Sequence, residues 1–379
     1  MHVTQLSLSD FRRFPSLSWR PASGLNLVRG DNGAGKTTLI EALHLLAYGR
    51  SFRGRVAEGL IRRGQPHLEV FAEWRAAGRL HRVGLRHSGR RWEARLDGEP
   101  VSTLGQLCAA LAVVTFEPGS QQLLTGSAEA RRRFLDWTLF HVEPTFLALW
   151  RRFERALKQR NALLKADGAE RDFGPWEAEL AQAGETITVF REQTLVALGE
   201  PLRSVCGELL PELGVPALDY LPGWPAAEHS LAAALARGRG RDRSLGHTES
   251  GAHRADWRLR FAGGDPRRTL SRGQGKLATL ACLLAQAFLL RIRSGEMPIL
   301  CLDDLASEID ATHRHRLIEL LKAAGGQLIV TGAEIPQEFI DPCRSGDGLF
   351  HVEQGSVREA RVSQGASPES RSGPSAEPA

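Results

Sequence analysis

The sequence predicts an α/β fold in which a mixed sheet and an antiparallel meander form one head, interrupted by an inserted all-α arm. Three observations predict it. A glycine-rich turn near residue 30 joins a short apolar strand to an amphipathic helix. The hydrophobic period switches to two between residues 68 and 96. Strand signals then nearly vanish from residue 123 to residue 236.

Taken in order, Val3 to Asp10 alternates, with Leu6 and Leu8 inward and Ser7 and Ser9 outward, as a half-buried strand should. Asp10 to Pro15 turns the chain back into a strand at Leu17 to Trp19. Leu25 to Val28 reads as a short buried strand, and Thr37 to Ala47 as a helix with Leu39, Ala42, Leu43 and Leu46 on one face. Between them Gly30-Asp31-Asn32-Gly33-Ala34-Gly35-Lys36-Thr37-Thr38 fits G-x-x-x-x-G-K-[ST]. Glycines let successive backbone N–H groups curl around phosphate oxygens, and the helix N-terminus points partial positive charge at them. Lys36 would reach the β- and γ-phosphates of ATP, and Thr37 would offer its hydroxyl to Mg²⁺.

Arginines at Arg50, Arg53, Arg55, Arg62 and Arg63 follow in a glycine-spaced stretch that reads as exposed; with Arg12 they flank the phosphate loop. Arg12, Arg53, Arg62 and Arg63 are the candidates for a DNA surface, although solvated charge is the ordinary role of each singly. The meander takes Leu68, Val70, Ala72 and Trp74, then Val83 and Leu85, then Trp92, Ala94 and Leu96, with turns at Gly78, Gly89 and Gly98. Val113 to Phe116 is another core strand. Ala128 to Phe140 is helical and carries Arg131-Arg132-Arg133, which would either bind DNA or tie the arm to the core by ion pairs. Two more helices follow, one with Phe146, Trp150, Phe153, Leu157 and Leu164 on its seam, the other running from Pro175 to about Leu202. They form an antiparallel hairpin or a compact helical subdomain. Arg237 to Arg243 reads as a flexible basic return loop, then a strand at Asp256 to Phe261, a helix at Lys276 to Ile292, and strands at Ile299 to Leu302 and Leu328 to Thr331. These assignments place the head in residues 1–118 and 244–362, the arm in 119–243 and a disordered tail in 363–379.

Hydrophobic residues at 42% and charged residues at 25% are ordinary values for a water-soluble chain, and no apolar run is long enough to span a membrane. The N-terminus lacks a signal-peptide profile. Five scattered cysteines without metal-site spacing read as reduced thiols. The expectation is a cytoplasmic protein with no membrane partner. The net charge of +5 is carried almost wholly by arginine, whose fork binds phosphate bidentately, so nucleic acid stays open as a partner.

Two further stretches narrow the class. Leu302-Asp303-Asp304 ends an apolar strand. Asp303 would hold Mg²⁺, mostly through water, and Asp304 would orient or polarise the attacking water. Leu270-Ser271-Arg272-Gly273-Gln274 precedes a helix and resembles the L-S-G-G-Q signature of ABC-type ATPases, with Arg272 in place of the first glycine. Ser271, Arg272, Gly273 and Gln274 would meet the γ-phosphate held by a second subunit's phosphate loop, a site complete only in a homodimer. The signature lies far beyond Lys36, with the helical arm between, more than a transporter subunit needs.

The chain resembles the RecF family of bacterial recombination-repair ATPases. The resemblance rests on Leu8-Ser9-Asp10-Phe11-Arg12, the phosphate loop, Gly126-Ser127 with Arg131-Arg132-Arg133-Phe134-Leu135-Asp136, Gly251-Ala252-His253-Arg254-Ala255-Asp256, the signature, and Leu302-Asp303-Asp304-Leu305-Ala306-Ser307-Glu308-Ile309-Asp310. It implies an ATP-dependent DNA-binding protein that dimerises on ATP, binds single-strand/duplex gaps, and works with RecO and RecR mediators in repair, replication restart and SOS induction. It also implies slow hydrolysis used as a switch, and places Asp310 in the loop that crosses the dimer interface with Ser271 and Gly273. Ala252 departs from the family's usual proline, Gly275 stands where a bulkier residue is expected, and Thr331 replaces the histidine of transporter ATPases. Gln121 and Gln122 are candidates for the lid glutamine. His253 would sense nucleotide or DNA, or act as a structural hydrogen-bond node. The rival readings are a membrane-transporter ATPase subunit and an SMC-like DNA-bridging head.

Overall fold

The computed structural model describes residues 1–54, 59–166, 168–264, 266–305, 309–340, 346–353 and 355–360, without the side chains of residues 267 and 268. The predicted tail, Arg55, Cys343 and the Ala306-Ser307-Glu308 block lie outside the described residues.

The chain opens with the strand hairpin β1 (His2–Phe11) and β2 (Phe14–Trp19), then β3 (Leu25–Arg29) and helix α1 (Lys36–Tyr48). The meander follows as β4 (Leu68–Ala76), β5 (Arg79–His87), β6 (Trp92–Leu96) and β7 (Glu99–Pro100), then α2 (Leu104–Ala110) and β8 (Val113–Phe116). The arm region brings α3 (Gln122–Thr125), α4 (Ala128–Val142), α5 (Phe146–Lys165), α6 (Phe173–Leu209), β9 (Ala217–Leu221) and α7 (Leu231–Leu245). After it come β10 (Asp256–Arg260), α8 (Pro266–Thr269), α9 (Arg272–Ser294), β11 (Ile299–Leu302), α10 (Ala311–Ala324), β12 (Leu328–Gly332), α11 (Gln337–Ile340), β13 (Gly348–Glu353) and β14 (Ser356–Ala360).

One sheet runs β14-β13-β3-β12-β11-β8, parallel except for the β13–β14 hairpin, and the other runs β2-β1-β4-β5-β6-β7, antiparallel throughout. Alternation along the parallel strands feeds two cores, because successive side chains leave opposite faces. Val28, Val113, Ile299, Cys301 and Ile329 pack with α1 and the antiparallel sheet. Leu27, Val114, Leu300, Leu302 and Val330 pack with α9, α10 and the far half of α6. The head therefore combines a mixed sheet with an antiparallel meander, as predicted, and helices pack against both faces of the mixed sheet's core. Helix α9 has the length and apolar content of a membrane-crossing helix, but 72% of its apolar window is buried inside the fold.

The arm packs Phe146, Leu149 and Phe153 of α5 against Leu180, Ala183 and Ile187 of α6, so the hairpin is present. A third helix joins it. The predicted basic loop at Arg237 to Arg243 is instead the second half of α7, whose Leu231, Ala234 and Leu235 enter the same core. Gly238 and Gly240 each cost a helix about 1 kcal/mol against alanine. Tertiary contacts offset this: Arg239 pairs with Glu170 and Glu177, Arg243 pairs with Glu170 at 2.9 Å, and both guanidiniums lie over the Phe173 ring. Strand β9, paired antiparallel with β10, was likewise not predicted.

Arg160, fully buried, holds the three arm helices together. It donates to Glu177 of α6 at 3.0 Å, to Asp242 of α7 at 2.6 Å, and to Thr248 at 2.8 Å. Removing Arg160 leaves buried Asp242 without its cation, while Glu177 keeps Arg239; breaking a buried pair in this way costs about 3–5 kcal/mol. Arg160→Met is expected to lose stability of that order in urea denaturation; a change under about 1 kcal/mol would mean the network adds little.

Candidate nucleotide site and its wiring

The loop between β3 and α1 owes its shape to glycine. Gly35 has φ +115°, and a Cβ there would lie 2.2 Å from the Phe14 ring. Gly30 is boxed in as tightly, its would-be Cβ 2.3 Å from the Val352 carbonyl oxygen. Any side chain at either position pushes the loop off the sheet. Lys36, the first residue of α1, folds back across the loop and donates to the carbonyls of Gly30 at 2.6 Å and Asp31 at 3.0 Å. Burial holds its pKa below the ordinary lysine value, opposed by Asp304, Asp303 and Asp31.

The acidic strand end meets this loop. Thr37 donates its hydroxyl to Asp303 Oδ1 at 3.0 Å, and Thr331 at the end of β12 donates to the same oxygen at 2.6 Å. Thr331 also accepts from the Asp304 N–H at 3.1 Å. Asp304 takes a left-handed φ of +53°, uncommon for a residue with a Cβ and costing about 1 kcal/mol or more. Burial raises the Asp303 pKa, offset by the two threonine hydroxyls. Thr37 and Asp303 supply only oxygen ligands, the donor set that a hard divalent cation takes.

Two residues of this neighbourhood were not predicted. Thr331 was noted only as a missing histidine, yet it ties Asp303 to Asp304. Glu117, directly after β8, sits beside the Asp303 strand end; burial and the nearby Asp303 raise its pKa while its carboxylate accepts from the Gly119 N–H at 2.5 Å. No sequence motif marks it. Gln121 and Gln122 lie in the turn after Glu117, at the start of α3.

Ser271 is the N-cap of α9 and forms a capping box with Gln274: its Oγ accepts from the Gln274 N–H at 3.2 Å, and the Gln274 side chain accepts from the Ser271 N–H at 3.1 Å. Arg272 and Gly273 are exposed, with open space beside Gly273. Among the described residues, no hydrogen bond joins Ser271–Gln274 to Gly30–Thr38 of the same chain. Asp310 caps α10 through the His313 N–H at 3.0 Å.

The sequence model of the RecF/RecN/SMC N-terminal domain family matches residues 2–358. The chain is 54% identical over 364 residues to the DNA replication and repair protein RecF of Xanthomonas oryzae pv. oryzae (strain MAFF 311018), covering 94% of this chain and all of that one. It is 41% identical over 330 residues to the protein of the same name from Hydrogenovibrio crunogenus, covering 87% and 91%. The chain belongs to the RecF family. The fold agrees: a solved structure described as the recombination mediator protein RecF with ATP superimposes with a TM-score of 0.85 at 24% identity, covering 95% of this chain and 98% of that one. An Smc head bound to the winged-helix domain of ScpA superimposes with a TM-score of 0.58 at 14% identity, covering 96% and 99%.

Two of the blocks that carry the RecF resemblance, Arg131–Asp136 and Gly251–Asp256, meet in one network of ion pairs and hydrogen bonds. Arg131 is bidentate on Asp256, with Nε at 2.6 Å and Nη2 at 3.0 Å, and Arg132 donates to the Ala255 carbonyl at 2.7 Å. Arg191 of α6 clasps Asp136 at 2.7 and 2.8 Å and reaches the Ala252 carbonyl at 2.6 Å. Gln286 of α9 donates to Phe134 O at 2.7 Å and Thr138 Oγ1 at 2.9 Å, tying the signature helix to α4. Arg131 and Arg132 therefore serve as structural ties. Arg133 alone of the three is exposed, paired with Glu129.

The four arginines flanking the loop divide similarly. Arg12 donates through Nε to fully buried Glu41 at 2.9 Å and through Nη1 to Gly59 O at 3.0 Å, so its fork is occupied within the head. Arg62 pairs with Asp10 at 2.7 Å. Arg53 and Arg63 are exposed.

His253 is tied to the fold through one ring nitrogen only, its Nδ1 being buried with no hydrogen-bond partner among the described residues. One ring nitrogen contacts Thr248 O at 2.9 Å, and burial lowers its pKa to about 4. A folded value below the unfolded one makes this a stabilising contribution present above about pH 6.5 and lost as pH falls toward 4. Between pH 6.5 and 5 the loss is about 2 kcal/mol. His253→Gln should reduce by that amount the drop in urea stability from pH 7 to 5; an unchanged drop would show that His253 is already protonated in the fold.

Proposed function

We propose that the chain is an ATP-binding DNA replication and repair protein whose ATP-closed homodimer holds DNA at single-strand/duplex gaps. The observation that carries the reading is the convergence of Lys36, Thr37, Asp303, Asp304 and Thr331 at one end of the parallel sheet, while the signature turn Ser271–Gln274 faces outward. The relatives' name, DNA replication and repair protein RecF, supports the same reading.

In this proposal the amides of Gly30 to Thr38 and the Lys36 ammonium hold the ATP phosphates. Thr37 and Asp303 hold Mg²⁺, which supplies charge neutralisation at the phosphates. Asp304 orients water, and Ser271, Arg272, Gly273 and Gln274 of a second copy complete the site, with Asp310 near the same interface. The head (1–118 and 244–362) binds nucleotide while the arm (119–243) moves with it through the Arg131–Asp256 ion pair and the hydrogen bond from Arg191 to the Ala252 carbonyl. Hydrolysis is slow and reopens the dimer. Arg53 and Arg63 contribute to the DNA face, with Arg12 and Arg62 supporting it from within. RecO and RecR are the proposed partners, SOS induction a consequence, and the cytoplasm the place.

The test is DNA binding by the full chain to gapped and plain duplex, with and without ATP and Mg²⁺, across a salt series. ATP should tighten binding, gapped DNA should be preferred, and affinity should fall steeply with salt. Binding indifferent to nucleotide would overturn the reading.

A further inference from the structure

Between head and arm lies a cleft of about 650 Å³, large enough for a nucleotide unit. Its walls come from α1, α2, β8, α3, α4, α5 and α9. Two features set it apart from a packing gap. Aromatic rings line it in series: His44 stacks on Tyr48 at 4.0 Å between centroids, and Tyr48 lies nearly parallel to Trp137 at 5.9 Å. Phe52 meets the His44 edge at 5.0 Å, and Trp150 keeps 37% of its surface exposed at the cleft. Trp137 is 92% buried by the complement of its 8% exposure, and its indole N–H has no hydrogen-bond partner among the described residues.

The second feature is charge. Arg50 and Arg133 both line the cleft; burial, and after it the nearby Arg133, holds the Arg50 pKa below the ordinary arginine value. Two carboxylates share the lining. Asp136 is clasped by Arg191, and Glu117 caps Gly119, so neither neutralises the pair as an ion-pair partner. Glu129 pairs with Arg133 on the exposed side. From Trp150 the exposed Arg151, Arg155 and Lys158 continue along one face of α5 at spacings of four and three, with exposed Glu154 among them, so that the face keeps a net positive charge.

We infer that this cleft binds an unstacked nucleobase with its phosphate, the base stacking on Trp150 and its aromatic neighbours and the phosphate meeting Arg50 and Arg133. Aromatic faces beside a cationic track are what single-stranded nucleic acid requires. The occupant is a single strand that follows the α5 stripe; the same chemistry would suit a free nucleotide. The inference rests on the DNA-binding reading above. Because Glu117 and the turn to Gln122 line the inner end of the cleft next to Asp303, a strand bound here would lie beside the nucleotide site.

The experiment titrates a thymidine oligonucleotide, dTMP and an oligoglutamate peptide into the full chain, following tryptophan fluorescence and anisotropy of a labelled strand. Trp150→Ala and Arg50→Glu are compared with the parent, with ATP binding and thermal melting as folding controls. The oligonucleotide should quench tryptophan and bind about tenfold more weakly to either variant while ATP binding is unchanged. Saturable dTMP binding of equal affinity to the strand, lost in both variants, would keep the site and assign it to a free nucleotide. Single-strand binding untouched by both variants, or oligoglutamate competing as well as the strand, would overturn the inference. Failure of the parent chain to bind any DNA would instead remove the DNA-binding reading on which it rests.

Discussion

Lys36→Met is expected to abolish ATP binding, by at least a hundredfold in Kd. The Lys36 ammonium is held within the loop by the carbonyls of Gly30 and Asp31 and lies in the field of Asp31, Asp303 and Asp304. Methionine keeps the length and the apolar stem but removes the ammonium that the loop places among those carboxylates to meet phosphate charge. A phosphate contact of this kind is charge-assisted on both sides and about twice as strong as a neutral hydrogen bond. Isothermal titration of ATP with Mg²⁺ measures it directly. Retention of nucleotide binding within tenfold would place the site elsewhere.

Ser271→Arg is expected to leave ATP binding intact and to prevent ATP-induced dimers. The substitution puts a long cation at the exposed N-terminus of α9, where the proposal has another copy's phosphates approach the Ser271 hydroxyl and the Gly273 backbone. It also removes the cap, which costs about 1 kcal/mol, too little to unfold the chain. Light scattering should give twice the chain mass of 41.6 kDa for the parent with ATP and the single mass for the variant. Dimers that form equally in both would refute a site split between copies.

Where the chemistry is local, the sequence was legible. Gly30 and Gly35 announce their own backbone geometry, and the alternation of β1 and of the meander strands fixes which residues face the core. The Asp303 and Asp304 pair was readable because it ends a fully apolar strand. Contacts made across the chain were not. Thr331 lies 28 residues from Asp303, and nothing in its neighbours signals that it binds the same carboxylate oxygen as Thr37. Helix α7 was misread because its local signals, alternating arginine and glycine, oppose a helix; the acidic residues and the Phe173 ring that secure it belong to α6 and the turn before it. Arg12, read as a surface cation, is instead held by Glu41, a partner on the opposite side of the phosphate loop. The head–arm cleft escaped for the same reason, since seven separate elements build it.

The central claim is that ATP closes a dimer and that closure holds DNA. Its most direct measurement is the affinity of Ser271→Arg for gapped duplex at saturating ATP, set beside the parent chain with and without nucleotide. The account predicts that the variant with ATP binds DNA only as weakly as the parent without it. A variant that binds gapped DNA as tightly as the ATP-bound parent would contradict it.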